Sequence, residues 1–470
     1  MRNIYWLLVG LLLIPVGCTG PYTPPNILVI ISDQHSGLLM NQTGYQYLDT
    51  PGINKIAEQG VTFTRSYCTY PVCVAARASF MTGMMPSKSS GNLTSYKSIG
   101  KTMLDAGYET AYFGKWHVGR SKMDKVSDWH GFETYQDLRR DTKTKELTVD
   151  FLKQDRERPF FLMTSFLNPH DCCELARNIA GLGDDYRDGP VEEHMDLEFC
   201  PPLPANFDIP PDEAEGFSTR RLPDSSDHTN YGKHPVKYWT ETEWRQYMYG
   251  YDRLVEKVDA HILDVMNTLE AEGLLENTLV IYTSDHGDGH ASHQWNQKMT
   301  FYEESINIPF IVSWKGHTIA GRIDEETLVS NGLDMYPTIC KIAGVSWPEV
   351  LPGADLSPFY LKDADPTTGR EYVVSEINQT ARYEDGNVVL KGRMVVSENY
   401  KYILFDGGEN REQFFDVKKD PGEMNPVTMN PDYQEQLSIH RQYLKEWIVA
   451  TSDDFLTENI PQDPVVAAIK

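Results

Sequence analysis

Two short runs constrain this chain more than any other feature. Asn26-Ile-Leu-Val-Ile-Ile-Ser32 and Leu279-Val-Ile-Tyr-Thr-Ser284 are uninterrupted apolar and β-branched stretches, and each runs out into a polar doublet, Asp33-Gln34 after the first and Asp285-His286 after the second. A strand with one wet face alternates in polarity. A strand that is apolar throughout is buried on both faces, as central strands of parallel sheets are. Open sheets of that kind bind ligands beyond the carboxyl ends of their strands. Two further runs have the same form. Thr110 to Phe113 leads into Gly114-Lys115-Trp116-His117-Val118-Gly119, and Phe160 to Phe166 leads into Leu167-Asn168-Pro169-His170. The expected fold class is therefore α/β, a large and mostly parallel sheet sandwiched by helices, with a polar site along one edge.

With 470 residues the chain has room for one large domain or two unequal ones, and 40% hydrophobic residues supply a substantial core. The formal net charge of −25 excludes nucleic acid as a natural partner and repels any polyanion from most of the surface. An anionic substrate would have to be drawn in by cations gathered within the site.

The stretch Tyr70-Pro-Val-Cys73-Val-Ala75-Ala76-Arg77-Ala-Ser-Phe-Met-Thr82-Gly83 reads as a helix entered just after a proline and closed at a glycine. Residues four apart share a helix face, so Cys73 and Arg77 should project together. The unpaired N–H groups and dipole of that helix end favour negative charge beside Cys73. A lone cysteine is most often a small buried hydrophobe; here the neighbouring arginine and helix start favour an anion site. The two Asp-containing strand ends could together hold a cation. Carboxylates and an amide oxygen suit a hard ion such as calcium, whereas His286 suits a transition metal better.

Cys73-x-Ala75-x-Arg77 with Thr82-Gly83 resembles the signature of type I sulfatases, members of the alkaline-phosphatase-like superfamily. Gly114-Lys115-Trp116-His117-x-Gly119, Asn168-Pro169-His170 and Lys298-x-Thr300-x-Tyr302-Glu303-Glu304-Ser305 resemble further segments of that family, and the likeness runs from about Asn26 to Asn425. It implies an alkaline-phosphatase-like fold with a smaller C-terminal antiparallel sheet. It also implies a sulfuric ester hydrolase in which Cys73 is converted to 3-oxoalanine (formylglycine), whose hydrate is the nucleophile. One calcium ion would be held by Asp33, Gln34, Asp285, His286 and residue 73. Arg77, Lys115, His117, His170 and Lys298 would complete the catalytic set, with lysines and histidines on the sulfate group and the hydrate. The family commonly has a second Asp where this chain has Gln34, and Pro where it has Ala75. The alanine form implies a radical-type formylglycine-generating maturase. A sulfated carbohydrate, polysaccharide or glycosaminoglycan-type oligosaccharide, is the expected substrate; a phosphonate or phosphate ester hydrolase, or a glycan-binding lipoprotein with a dead site, are the alternatives.

Residues 1–18 read as an export signal: Arg2, an apolar stretch from Ile4 to Ile14 too short to span a bilayer comfortably, and Gly17-Cys18, which resembles a lipobox end. The expectation is an exported bacterial protein, periplasmic or anchored at the outer membrane through a lipid on Cys18. The catalytic domain should cover 26–365 and a C-terminal subdomain 366–470. Asp184 to Tyr238 reads as a long surface excursion, Glu241 to Glu272 as a core-packing helix ended by Gly273, and Thr50 to Phe63 as a helix with Pro51 at its first position and Gly60 as its stop. Met394–Ser397 and Tyr400–Phe405 read as a hairpin, with a final helix near Tyr433 to Val449. The remaining cysteines, Cys68, Cys172, Cys173, Cys200 and Cys340, have neither disulfide-framework nor zinc-site spacing, and no role is assigned to the Cys172-Cys173 pair.

Overall fold

A computed structural model describes residues 24–462 except 119–126, 182, 184, 193–195, 219–235, 237–238, 366 and 384–385. The leader, Cys18, Gly119, much of the 184–238 excursion and the last eight residues lie outside the described residues. The strands are β1 (Asn26–Asp33), β2 (Gly60–Phe63), β3 (Ser66–Tyr67), β4 (Glu109–Gly114), β5 (Thr134–Asp137), β6 (Phe160–Pro169), β7 (Thr278–Ser284), β8 (Phe310–Ser313), β9 (Arg322–Asp324), β10 (Val329–Ser330), β11 (Tyr372–Tyr383), β12 (Gly386–Ser397), β13 (Tyr400–Phe405) and β14 (Glu412–Asp416). Eight of them form one sheet in the order β5-β4-β6-β1-β7-β8-β2-β9, in which β8 alone is antiparallel to its neighbours. β1 lies at the centre, paired in parallel with β6 on one side and β7 on the other, so that Ile27 sits between Phe161 and Leu279.

The uninterrupted apolar runs follow from this position. Ile27, Val29 and Ile31 point into one core layer with Leu279 and Ile281, beneath helices α2 (Cys73–Thr82) and α6 (Asn331–Ala343). Leu28 and Ile30 point the other way with Val280 and Tyr282, against α1 (Pro51–Ala57), α3 (Asp141–Leu152) and α5 (Glu241–Ala271). The expected α5 stripe, Tyr249, Leu254, Val258, Ile262, Val265 and Leu269, is buried throughout. Each such aliphatic side chain stabilises the packing by about 1.5–3 kcal/mol.

The segment after Pro51 departs from expectation. The helix stops at Ala57, and Gly60 opens β2 instead of capping the helix. The reason is a close approach: a Cβ at Gly60 would lie 2.3 Å from the Val312 carbonyl oxygen of the paired strand β8. The start of α1 is likewise satisfied from a distance, since Thr50 caps nothing and Asp259 on α5 accepts the N–H groups of Gly52 and Ile53 at 2.9 and 2.7 Å.

The C-terminal sheet is antiparallel, β11-β12-β13-β14, and contains the expected hairpin with an additional long strand, β11, in front of it. Helix α7 (Gln434–Thr451) covers one face through Leu437, Leu444 and Ile448. The other face packs Ile377, Met394, Ile403 and Phe405 onto Phe301, Tyr302, Ile306 and Ile308 of the main body. None of the described helices is long and apolar enough to cross a membrane.

Two stability predictions follow from these contacts. Gly60→Ala should destabilise the fold by about 2–4 kcal/mol, read from urea denaturation, because backbone of β8 must move to admit the methyl group. His440 on α7 is buried, with Nδ1 2.7 Å from the Gln436 carbonyl and Nε2 2.8 Å from the Ser397 hydroxyl, and burial pulls its pKa down to about 4. The unfolded imidazole binds its proton near pH 6.5, so His440 contributes stability above that pH and loses it as pH falls toward 4, by up to about 3 kcal/mol. The difference between wild-type and His440→Gln unfolding free energies, measured from pH 7.5 to 4.5, should shrink in that window.

Candidate active site

The site forms where β1, β7, β4 and β6 end, and each strand contributes through its exit residues. α2 begins at Cys73, with Val72 extended as its cap residue and Gly83 left-handed at its end. Cys73 and Arg77, one turn apart, both face the strand ends. The Arg77 guanidinium is buried and bonded on all sides. Nε donates to Asp285 Oδ2 at 2.7 Å, Nη2 to Asp33 Oδ2 at 2.8 Å, and Nη1 to the Lys115 carbonyl and the Ser165 hydroxyl, both at 2.7 Å. Lys115 Nζ reaches Asp33 Oδ2 at 2.6 Å. Lys115 takes this direction because Gly114 before it turns with φ +106° so close to β6 that a Cβ would sit 1.9 Å from the Ser165 carbonyl oxygen, a place only glycine fits.

Around the Cys73 sulfur lie His286 Nε2 at 3.1 Å, Lys298 Nζ at 3.2 Å, Asp33 Oδ1 at 3.6 Å and Lys115 Nζ at 3.8 Å. Lys298 Nζ also donates to Gln34 Oε1 at 2.9 Å. Eight expected residues are thus joined in one network: Asp33, Gln34, Cys73, Arg77, Lys115, Asp285, His286 and Lys298. His170 is nearly buried, close enough to Asp33 to influence its charge, and its Nδ1 has no hydrogen-bond partner. His117, two residues beyond Lys115, is half-buried and left-handed at φ 43° with an unpartnered Nδ1; among the described residues no hydrogen bond ties it to the network.

The electrostatics separate the two carboxylates. Burial pushes Asp33 up, but Lys115, His170, Arg77 and Lys298 hold it well below the usual range. Burial, then the Asp33 charge, push Asp285 up. Burial and Asp33 oppose ionisation of Cys73, yet Lys115, Lys298 and His286 bring the thiol well below its ordinary range. Where residue 73 carries no charge, the three fixed cations Arg77, Lys115 and Lys298 outnumber Asp33 and Asp285 inside a strongly acidic protein, which suits an anionic substrate.

Ligand atoms of Asp33, Cys73, Asp285 and His286 all lie within 4.8 Å of one another, the spacing of a single-ion site. His286 Nδ1 lies 2.9 Å from the Gly287 carbonyl and must donate to it; burial pulls the ring's pKa down, Asp285 and Cys73 push it above its ordinary value, and in the neutral form its Nε2 lone pair faces this cluster. Two carboxylates and an imidazole nitrogen fit a divalent cation, and the Gln34 amide oxygen is linked to them through Lys298, which also touches Cys73.

Several contributors carried no assignment from sequence. Asp288, three residues past Asp285, accepts from the Gln34 amide, from Tyr247 on α5 and from two backbone N–H groups. Tyr251 on the same helix donates to the Gln34 carbonyl at 2.6 Å. The vicinal cysteines open α4 (Cys172–Ile179) behind this layer: Cys172 Sγ is 3.2 Å from Gln34 Nε2, and Cys173 Sγ is 3.0 Å from Gln297 Oε1. The six cysteines among the described residues are all buried, and none is in a disulfide. Tyr247 and Tyr251 stand four apart on a helix, a spacing that could have marked a shared polar face.

Comparison with known proteins points to one family. Residues 25–345 match the sulfatase family, and residues 291–449 match the C-terminal region of N-sulphoglucosamine sulphohydrolase. The chain is 29% identical to the Delta 4,5-hexuronate-2-O-sulfatase of Bacteroides thetaiotaomicron, over 94% of this chain and 92% of that one. It is 26% identical to the N-acetylglucosamine-6-O-sulfatase of the same organism, over 90% of this chain and 86% of that one. A solved 2-O GAG sulfatase superposes with a TM-score of 0.77 at 27% identity, covering 92% of this chain and 93% of the other.

Arg77→Gln should expose how much the buried charges depend on one another. Removing the guanidinium leaves Asp285 without its cation and Asp33 held by Lys115, a loss of about 3–5 kcal/mol. The loss should be largest at neutral pH in chelator and should shrink as pH falls and Asp285, already pushed up by burial and Asp33, takes up a proton; denaturation followed across that acid range checks it.

Proposed function

The chain belongs to the sulfatase family, and from that premise we propose that it removes sulfate from a sulfated carbohydrate by way of a formylglycine hydrate at position 73. The observation that carries this reading is the convergence of residue 73, at a helix N-terminus, with Asp33, Asp285, His286, Lys115 and Lys298 in one buried cluster. The sugar-specific relatives and the positive excess of the site support a sulfated saccharide as the substrate class. The leader sequence supports export, and the alanine form of the cysteine motif supports a radical-type maturase.

The chemistry needs two hydroxyls on one carbon, which neither a thiol nor a serine supplies. One hydroxyl of the hydrate attacks sulfur in line while the sugar oxygen leaves. Its proton is within reach of Asp285, whose carboxyl burial and the Asp33 charge push up and whose ligand atom lies in the same cluster as the residue 73 side chain. Lys115, Lys298 and His170 hold the sulfate oxygens as charge builds on them. His117 and His170, each with an unpartnered ring nitrogen, would hand a proton to the leaving alcohol. The second hydroxyl then loses its proton, the bond from carbon to the sulfated oxygen breaks, and sulfate and the aldehyde are both regenerated. Asp33, Gln34, Asp285 and His286 would hold a calcium ion, which supplies fixed positive charge next to the nucleophile.

Kinetics on sulfated mono- and oligosaccharides, with aryl sulfate and aryl phosphonate as class controls, test the reading. Sulfated sugars should be hydrolysed, and aryl sulfate preferred over aryl phosphonate; the reverse preference contradicts the sulfatase chemistry. Cys73→Ala should abolish turnover, and Lys298→Met should lower kcat/KM by about a hundredfold.

A further inference from the structure

Gln34, unlike Asp33 and Asp285, has a side chain with two chemically different ends. A carboxylate can turn either oxygen to a cation, but an amide turned the wrong way presents its NH2 group, which repels both a cation and Lys298. The surroundings settle the orientation. Lys298 Nζ can only donate, so the Gln34 atom 2.9 Å from it is the oxygen. The Asp288 carboxylate can only accept, so the Gln34 atom 2.7 Å from Oδ2 is the nitrogen.

We propose that Asp288 is a positioning residue that locks the Gln34 amide with its oxygen facing Lys298 and the cation pocket. Asp288 is itself fully buried and held in place. Oδ1 accepts from the His290 N–H at 2.9 Å and the Tyr247 hydroxyl at 3.1 Å. Oδ2 accepts from the Gln297 N–H at 3.0 Å and the same hydroxyl at 3.0 Å, and lies 3.7 Å from Cys172 Sγ. Gln34 is fixed at its other end too. Its backbone is left-handed at φ 74°, its N–H donates to Asp285 Oδ1 at 3.1 Å, and its carbonyl accepts from Tyr251. With the main chain pinned, the amide flip is the remaining freedom, and Asp288 removes it. The second negative charge expected at position 34 therefore stands one layer further out, where it aims the ligand in place of serving as one. This inference rests on the cation site proposed above.

The test is calorimetric titration of the full chain with calcium chloride, which reads binding without turnover. It compares wild type, Gln34→Glu, Asp288→Asn and the double variant, each checked for a cooperative melt. Gln34→Glu is isosteric and adds a carboxylate to the pocket, yet it sets two carboxylates 2.7 Å apart, so calcium should bind about tenfold more weakly than to wild type. Asp288→Asn should also weaken binding by releasing the amide. The double variant, which exchanges the acid and the amide, should bind at least about tenfold more tightly than Gln34→Glu, a non-additivity that a purely structural Asp288 does not produce. Tighter binding by Gln34→Glu than by wild type overturns the assignment, as does additivity across the cycle. If Asp288→Asn fails to fold, Gln34→Glu alone decides by the same criterion. If wild type binds no calcium, the cation site itself is wrong and the inference falls with it.

Discussion

Arg77 holds the two central strand ends together. β1 and β7 are neighbours in register to Ser32 and Ser284, so the next residues, Asp33 and Asp285, bring two fully buried carboxylates side by side. Such a pair is unstable without a shared cation. The planar guanidinium reaches both at once through different nitrogens, a geometry that a lysine cannot supply. Its remaining donors fasten the Lys115 carbonyl and Ser165, and so tie in β4 and β6. Because Cys73 lies one turn earlier on the same helix, the bond network that neutralises the strand ends also sets the position of residue 73.

The cations of the pocket are placed by backbone conformations that ordinary chains avoid. Lys115 follows Gly114, which only glycine can be. Lys298 lies in a loop where His290, Ala291, His293, Gln294, Gln297 and Met299 are all left-handed. Strain of this kind persists only where the surroundings over-determine it. Here the Trp295 indole donates to the Lys298 carbonyl at 3.2 Å, the Met299 N–H donates to the Pro71 carbonyl at 3.1 Å, and Asp288 takes the Gln297 N–H. The loop bearing Lys298 is thereby bonded to the residue before the α2 cap. An acidic protein thus concentrates positive charge at one point without altering its overall field.

The strand ends and the cysteine helix were legible because their signals are local. A strand buried on both faces must be apolar throughout, and a helix places residues four apart on one side. What escaped depends on contacts between distant segments. Gly60 has the look of a helix stop until the β8 carbonyl beside it is known. Tyr247 and Tyr251 carry no assignment within the core-packing helix, yet their hydroxyls serve Asp288 and Gln34. The Cys172-Cys173 pair has no pattern meaning and becomes intelligible only as the wall behind two glutamine amides. The resemblance offers Gln34 as a ligand position, but what orients its amide is not visible in the sequence.

The account depends on residue 73 being an aldehyde in the working protein, since no other side chain there offers two hydroxyls on one carbon. Mass spectrometry of the proteolytic peptide spanning Cys73, taken from protein purified out of its native host, reads this directly. The prediction is a peptide lighter than the thiol form by the difference between a CH2SH and an aldehyde group, and reactive toward hydrazide reagents. An intact, alkylatable thiol at that position in protein that hydrolyses sulfate esters would contradict it.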